Sequence, residues 1–271
     1  MKIGLMDSGM GGLSVLHEAF HLLPNEEYLF YADVDHVPYG LKKPEEIISY
    51  TTDIVEFLIS KGAEVVIIAC NTATSVAIEK VRKLYDIPII GMEPAVKPAV
   101  HNSHNKRVMV MATPVTIREN KLKTLIDKVD TEHLCDLLPM PRLVEFAENE
   151  MYESHEAYDY VIKELKPYDL SVYSELVLGC THFNYFKPIY RNLFGDEIEI
   201  IDGNNGTIRH LAGKCGLTIE NTDKKLKYKE PTEVLTHPKV TYYASGRLIT
   251  DEKMLTHIMR MHNRLEEVRH I

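Results

Sequence analysis

Residues 65–74 read VVIIACNTAT and residues 176–183 read LVLGCTHF. Each stretch opens on a short apolar run, reaches a cysteine, and continues into residues that carry hydroxyl, amide or imidazole groups. Such runs are too short for a helix and too apolar for a surface loop, so Val65–Ile68 and Leu176–Leu178 are expected to be buried strands. A helix is expected to begin just after each cysteine. Strands that turn directly into helices are the units of an α/β fold, in which ligands sit outside the carboxyl ends of the strands.

The same alternation extends outward from both stretches. Ile3–Met6, Tyr28–Tyr31 and Ile87–Ile90 also read as buried strands. Between them, apolar residues recur at helical steps: Leu13, Leu16, Phe20 and Leu23, then Ile47, Thr51, Ile54, Val55 and Leu58, and less regularly Val76, Ile78, Val81 and Leu84. The pattern then restarts with a strand at Val108–Met111, a helix over Ile117–Leu125, and strands at Leu176–Leu178 and Ile198–Ile201. Asn221–Pro238 reads as a polar loop with room for one short strand, Val240–Tyr243 as a strand, and Asp251–His270 as a charged amphipathic helix.

The two halves rhyme. Ile3–Met6 runs into Asp7, Ser8 and Gly9, and Val108–Met111 runs into Ala112, Thr113 and Pro114, with Thr116 close behind. Each half then presents a strand that ends at a cysteine. The expectation is two similar, pseudo-symmetric α/β domains with mainly parallel sheets and an active site in the cleft between them. Residues 1–95 with 206–271 form the first and 96–205 the second, since the terminal helix must dock on something. If the halves face each other, Cys70 and Cys180 point into one cleft from opposite sides.

Composition bounds the function. The 271 residues are 45% hydrophobic and 26% charged, enough to bury a core and unlike a disordered chain. The net charge of −9 opposes non-specific binding to nucleic acid or anionic membrane. No apolar run approaches a membrane span, and the start MKIGLMDSG does not resemble a signal peptide, so a cytoplasmic protein is expected. Cys70, Cys135, Cys180 and Cys215 show no zinc-type spacing and are expected to be free thiols.

Cys70 and Cys180 sit where a helix amino terminus would favour thiolate, so they are candidates for chemistry, whereas Cys135 and Cys215 lack that setting and are expected to be structural. His182 lies close enough in sequence to Cys180 to exchange a proton with it. Glu145, in Leu143-Val144-Glu145, is a weaker acid–base candidate. The turn DSGMGG at 7–12 could hold an anion on its amides, phosphate or carboxylate, although it is neither a P-loop nor a dinucleotide fingerprint. Pro38-Tyr39-Gly40 reads as an ordered loop. His17-Glu18-Ala19-Phe20-His21 matches the H-E-x-x-H zinc string. It is set aside, because both histidines are expected on a solvated face with no third ligand following.

Taken together, MDSGMGGLSV at 6–15, YADVDHVPYG at 31–40, ACNTAT at 69–74, IPIIGMEPAVKPA at 87–99 and LGCTHF at 178–183 resemble the glutamate racemases of the aspartate/glutamate racemase superfamily. TYYASGRL at 241–248 is similar to the family's last strand. In Leu134–Glu150 the likeness is thin: the family's Cys-Pro start and Pro-Leu-Val-Glu core are reduced to Leu143-Val144-Glu145. The resemblance implies two α/β domains and interconversion of L- and D-glutamate without pyridoxal phosphate, metal or other cofactor. It implies Cys70 and Cys180 as the two bases, Asp7 and His182 as the groups that assist them, and a homodimer supplying D-glutamate to bacterial peptidoglycan. Ser8, Tyr39, Gly40, Asn71, Thr72 and Thr181 match its substrate-binding positions. Asp7, His182, Thr113 and Thr116 complete the candidate substrate contacts. Racemisation of aspartate, a superfamily decarboxylation, ligand binding without turnover, and a Cys70–Cys180 redox switch are the competing expectations.

Overall fold

The computed structural model describes residues 1–220, 222, 225–236 and 238–271. In the first half, β1 (Lys2–Asp7) leads through α1 (Leu13–Leu22) to β2 (Glu27–Ala32), then through α2 (Pro44–Ser60) to β3 (Val65–Ile68), and through α3 (Asn71–Val81) to β4 (Ile89–Gly91). After α4 (Val96–Asn102), the second half places β5 (Arg107–Ala112), α5 (Pro114–Arg118), α6 (Asn120–Val129), β6 (Cys135–Pro139), α7 (Arg142–Glu148), α8 (His155–Leu165), β7 (Tyr173–Gly179), α9 (Lys187–Phe194) and β8 (Glu199–Asp202). The chain then returns through α10 (Asn204–Cys215), β9 (Val240–Ala244), β10 (Arg247–Leu248) and α11 (Glu252–Glu267).

Among the described residues the strands form two sheets, ordered β10-β9-β2-β1-β3-β4 and β6-β5-β7-β8. Every pairing is parallel except β9 with β10. The strands are apolar on both faces because helices cover both sides of a parallel sheet; Val65–Ile68 are fully buried. At about 1.5–3 kcal/mol for each large apolar side chain removed from water, such runs fix the strand against alternatives.

The winding is the same in both sheets. β2 lies on one side of β1 and β3 on the other; β6 lies on one side of β5 and β7 on the other. Each sheet therefore has a switch point, between β1 and β3 and between β5 and β7, where outgoing loops part and leave a crevice. Asp7 ends β1 and Cys70 follows β3, while Thr113 and Cys180 follow β5 and β7. This is a two-domain α/β fold with pseudo-symmetric halves.

Several sequence expectations change in detail. The helix expected over 117–125 is two helices broken at Glu119, whose extended backbone separates α5 from α6. β6 and α8 escape the apolar-run criterion: β6 is only partly buried, and α8 carries charge between its apolar positions. Within the polar segment 221–238, Pro231–Leu235 forms a short 3-10 helix and Thr236 bridges Lys239; Asn221, Asp223, Lys224 and His237 lie outside the described residues.

The largest correction concerns α1. His17 and His21 are not solvated: they are 3% and 0% exposed. The apolar stripe Leu13, Leu16, Phe20 does face the core, but α11 and α10 cover the opposite side, so almost the whole of α1 is buried. Among the described residues, no helix is long and apolar enough to cross a membrane.

Candidate active site

Cys70 is the N-cap of α3; its sulfur accepts the Ala73 amide at 3.4 Å and its thiol donates to Ser8 Oγ at 3.6 Å. Cys180 follows β7 directly and caps the 3-10 turn Thr181–Phe186. Both are free thiols, 5% and 6% exposed.

Asp7 links the two halves. It is fully buried, its Oδ2 accepts the Gly9 and Gly12 amides, and the Thr181 hydroxyl donates to it from the other domain at 3.4 Å. Burial pushes Asp7 up to about 6, helped by Glu148 and opposed by His182 and the two amides. Burial, followed by the charge of Asp7, pushes the Cys70 thiol up to about 12. Cys70 is thus held as a thiol whose proton has a carboxylate for company.

Cys180 has a different neighbour. His182 Nδ1 lies 3.7 Å from its sulfur, and His182 Nε2 donates to Glu148 Oε1 at 2.6 Å. Burial works against a charged His182, but its hydrogen bonds and charge interactions with Cys180 and Glu148 outweigh it and raise the imidazole well above its ordinary value. Burial would likewise raise Glu148; the hydrogen bond and charge of His182, with the Met10 amide at 2.7 Å, hold it below.

Glu145 is not part of this cluster. Its side chain is exposed, and its carbonyl accepts from Asn149. Glu148 lies one helical turn further along α7, on the side that meets the turn at 9–11. No local sequence pattern singles out Glu148; what distinguishes it is the Met10 amide and His182 that it meets across the interface.

The 7–12 turn is also not an open anion cradle. The Gly9 and Gly12 amides bind Asp7, the Met10 amide binds Glu148, and the Gly11 amide lies 3.2 Å from His182 Nε2. The glycines serve close approach: a Cβ on Gly11 would clash with the His182 ring, and one on Gly9 with the Glu148 carboxylate.

Hydroxyl groups join the other side of the interface. Thr72 Oγ1 is 2.8 Å from Thr113 Oγ1 and 3.3 Å from Thr116 Oγ1, and all three are buried. Thr113 caps α5 by accepting the Thr116 amide. Gly40 packs against Thr113, where a Cβ would stand 2.8 Å from the threonine Cβ. Tyr39 is buried, but its hydroxyl donates to Asp33 at 2.6 Å, and Asp33 also accepts from Ser245, so that ring supports the loop. Asn71 Oδ1 is buried with no hydrogen-bond partner among the described residues and is an acceptor suited to an amine. Cys135 and Cys215 are partly buried and away from this cluster; burial, then Asp130, pushes Cys135 up to about 12.

The two halves thus bring together two buried thiols, a buried carboxylate and an imidazole backed by a second carboxylate. The sequence profile described as Asp/Glu/Hydantoin racemase matches residues 3–211, and the chain belongs to that family. A glutamate racemase of Lachnospira eligens is 49% identical over 276 aligned positions, covering 100% of both chains. The crystal structure of glutamate racemase from Campylobacter jejuni superposes with a TM-score of 0.76 at 27% identity, over 96% of this chain and 97% of that one. That of Escherichia coli glutamate racemase, in complex with L-glutamate and the activator UDP-MurNAc-ala, gives 0.76 at 25% identity over 92% and 99%. The chain is an isomerase and acts as a glutamate racemase.

Proposed function

We propose that the racemisation of glutamate proceeds by two thiols and no cofactor. One thiolate takes the Cα hydrogen as a proton; the other cysteine delivers its S–H proton to the opposite face. One turnover leaves the first sulfur protonated and the second as thiolate, so the reverse reaction runs through the same groups with exchanged roles. Asp7 manages the proton on Cys70, and His182, oriented by Glu148, manages that on Cys180. Ser8, Asn71, Thr72, Thr113, Thr116 and Thr181 hold the substrate's amine and carboxylates. Tyr39 and Gly40 shape the loop that closes over it.

The observation that carries this reading is the placement of Cys70 and Cys180 at equivalent switch points of two facing sheets. Their near-complete burial adds a condition: glutamate reaches them only when the domains part, and closing on it excludes water and strengthens every hydrogen bond to the carbanion. The division that would move is residues 1–95 with 206–271 against residues 96–205. In the cell we place the enzyme in the cytoplasm, as a homodimer that supplies D-glutamate for peptidoglycan.

Chiral chromatography of glutamate after incubation with enzyme tests the assignment. Cys70→Ala and Cys180→Ala should each lower racemisation by about 1,000-fold or more, since each deletes an acid–base group. Retention of more than a tenth of the activity by either folded variant would reject the two-thiol reading.

A further inference from the structure

The H-E-x-x-H string on α1 plays no part in this chemistry, and its burial calls for an account. α11 repeats the same four-residue spacing with His262 and Glu266, so the two helices turn paired side chains toward one another. His17 Nε2 and His21 Nε2 each lie 3.0 Å from Glu266 Oε2. The three ligand-type atoms are all within 4.8 Å of one another.

The outer ring nitrogens are engaged. His21 Nδ1 is 3.2 Å from the carbonyl oxygen of Thr222, which can only accept, so Nδ1 carries the hydrogen. In the neutral ring His21 Nε2 is then a lone pair aimed at a carboxylate oxygen. Two acceptors facing each other at 3.0 Å in a buried place require a positive charge between them. His17 Nδ1 lies 3.1 Å from His262 Nδ1, and His262 Nε2 lies 3.3 Å from the Tyr242 hydroxyl. With its Nε2 turned to the Tyr242 hydroxyl, His262 presents Nδ1 to His17 as an acceptor. Both α1 imidazoles thus have the outer partner that fixes a metal-ligating tautomer.

We propose that His17, His21 and Glu266 bind one divalent transition-metal ion, zinc above all, which fastens α11 to α1. Two imidazoles and a carboxylate suit zinc, and bond lengths of about 2.0–2.2 Å place tetrahedral ligand atoms roughly 3.3 Å apart; the two 3.0 Å contacts to Glu266 then open by a few tenths of an ångström, while the three atoms already lie within 4.8 Å of one another. A cavity of about 270 Å³, lined in part by His17, Glu18, Leu265 and Arg269, reaches His17 at the edge of the cluster. The role is structural: the ion ties the last helix to the helix that follows the 7–12 turn.

The test uses the full-length enzyme, stripped with a chelator and titrated with zinc against a chromophoric chelator. One equivalent per chain should bind, and saturating zinc should raise the melting temperature by roughly 5 °C. His21→Gln and Glu266→Gln should lose both effects, and Cys70→Ala should keep them. Cobalt(II) in the unaltered enzyme should give tetrahedral d–d bands without a thiolate charge-transfer band, which needs no variant to fold. No stoichiometric binding by the unaltered enzyme, or a cobalt spectrum with thiolate character, would overturn the proposal and leave a proton between His21 and Glu266.

Discussion

Cys70 and Cys180 occupy equivalent ends of equivalent strands, yet their surroundings differ in kind. Cys70 faces a hydroxyl and a carboxylate, Ser8 and Asp7; Cys180 faces an imidazole backed by a carboxylate, His182 and Glu148. A repeated fold fixes where the two sulfurs sit, while the residues packed around each strand end give each sulfur its own neighbours. The pseudo-symmetry also ends at the interface: Asp7 of one half takes a hydrogen bond from Thr181 of the other, and the Gly9–Gly12 turn of the first half carries His182 and Glu148 of the second. The neighbours of each thiol are therefore held in part by the opposite half.

The sharpest way to break this comparison is on the Cys180 side. His182→Gln should lower kcat by about 100-fold or more, the range for a lost acid–base group. Glu148→Gln should cost less: a charge-assisted hydrogen bond is worth about 1.5–3 kcal/mol, or roughly tenfold to a hundredfold in rate. Glu145→Gln should leave kcat unchanged, and steady-state kinetics of the three variants separates the two glutamates. A kcat for Glu148→Gln equal to that of the unaltered enzyme would remove Glu148 from the pair.

Next in size is Gly11→Ala. The added methyl must push the His182 ring aside, an overpacking that costs about 1–3 kcal/mol of stability. Thermal denaturation should show a lowered melting temperature, together with reduced activity in the protein that remains folded.

The smallest effect near neutral pH belongs to Asp7. Its carboxyl is raised, so the ionised form needed to take a proton from Cys70 appears only as pH rises through about 6. The value of kcat/KM should therefore climb with pH up to about 6 and level off above it. In Asp7→Asn that acidic limb should be absent from the pH profile. The same shift sets a sign for stability: the buried carboxyl is accommodated while neutral and costs stability as pH rises from its ordinary range through about 6.

What the sequence made legible follows from local rules. Val65–Ile68 and Leu176–Leu178 declare themselves because a buried parallel strand must be apolar on both faces, and Cys70 and Cys180 follow them at strand exits, where ligands of such sheets gather. Glu148 was harder to see, since two glutamates three residues apart on α7 look alike until the packing partner is known, and that partner, the Met10 amide, lies 138 positions away. The faces of α1 were misread for a similar reason. A helix buried all round usually reads as apolar all round, but here a carboxylate on α11, 245 positions from His21, makes buried imidazoles tolerable. Tyr39 is buried and its hydroxyl is claimed by Asp33, a pairing that no local pattern announces.

The central claim is that one sulfur removes the hydrogen and a different sulfur replaces it. Racemisation of L-glutamate in deuterium oxide, stopped early and analysed by mass for each enantiomer, tests this directly. Two separate bases predict D-glutamate carrying solvent deuterium at Cα while the remaining L-glutamate stays unlabelled. D-glutamate that retains the substrate's own hydrogen, or L-glutamate that gains deuterium as fast as product forms, would contradict it.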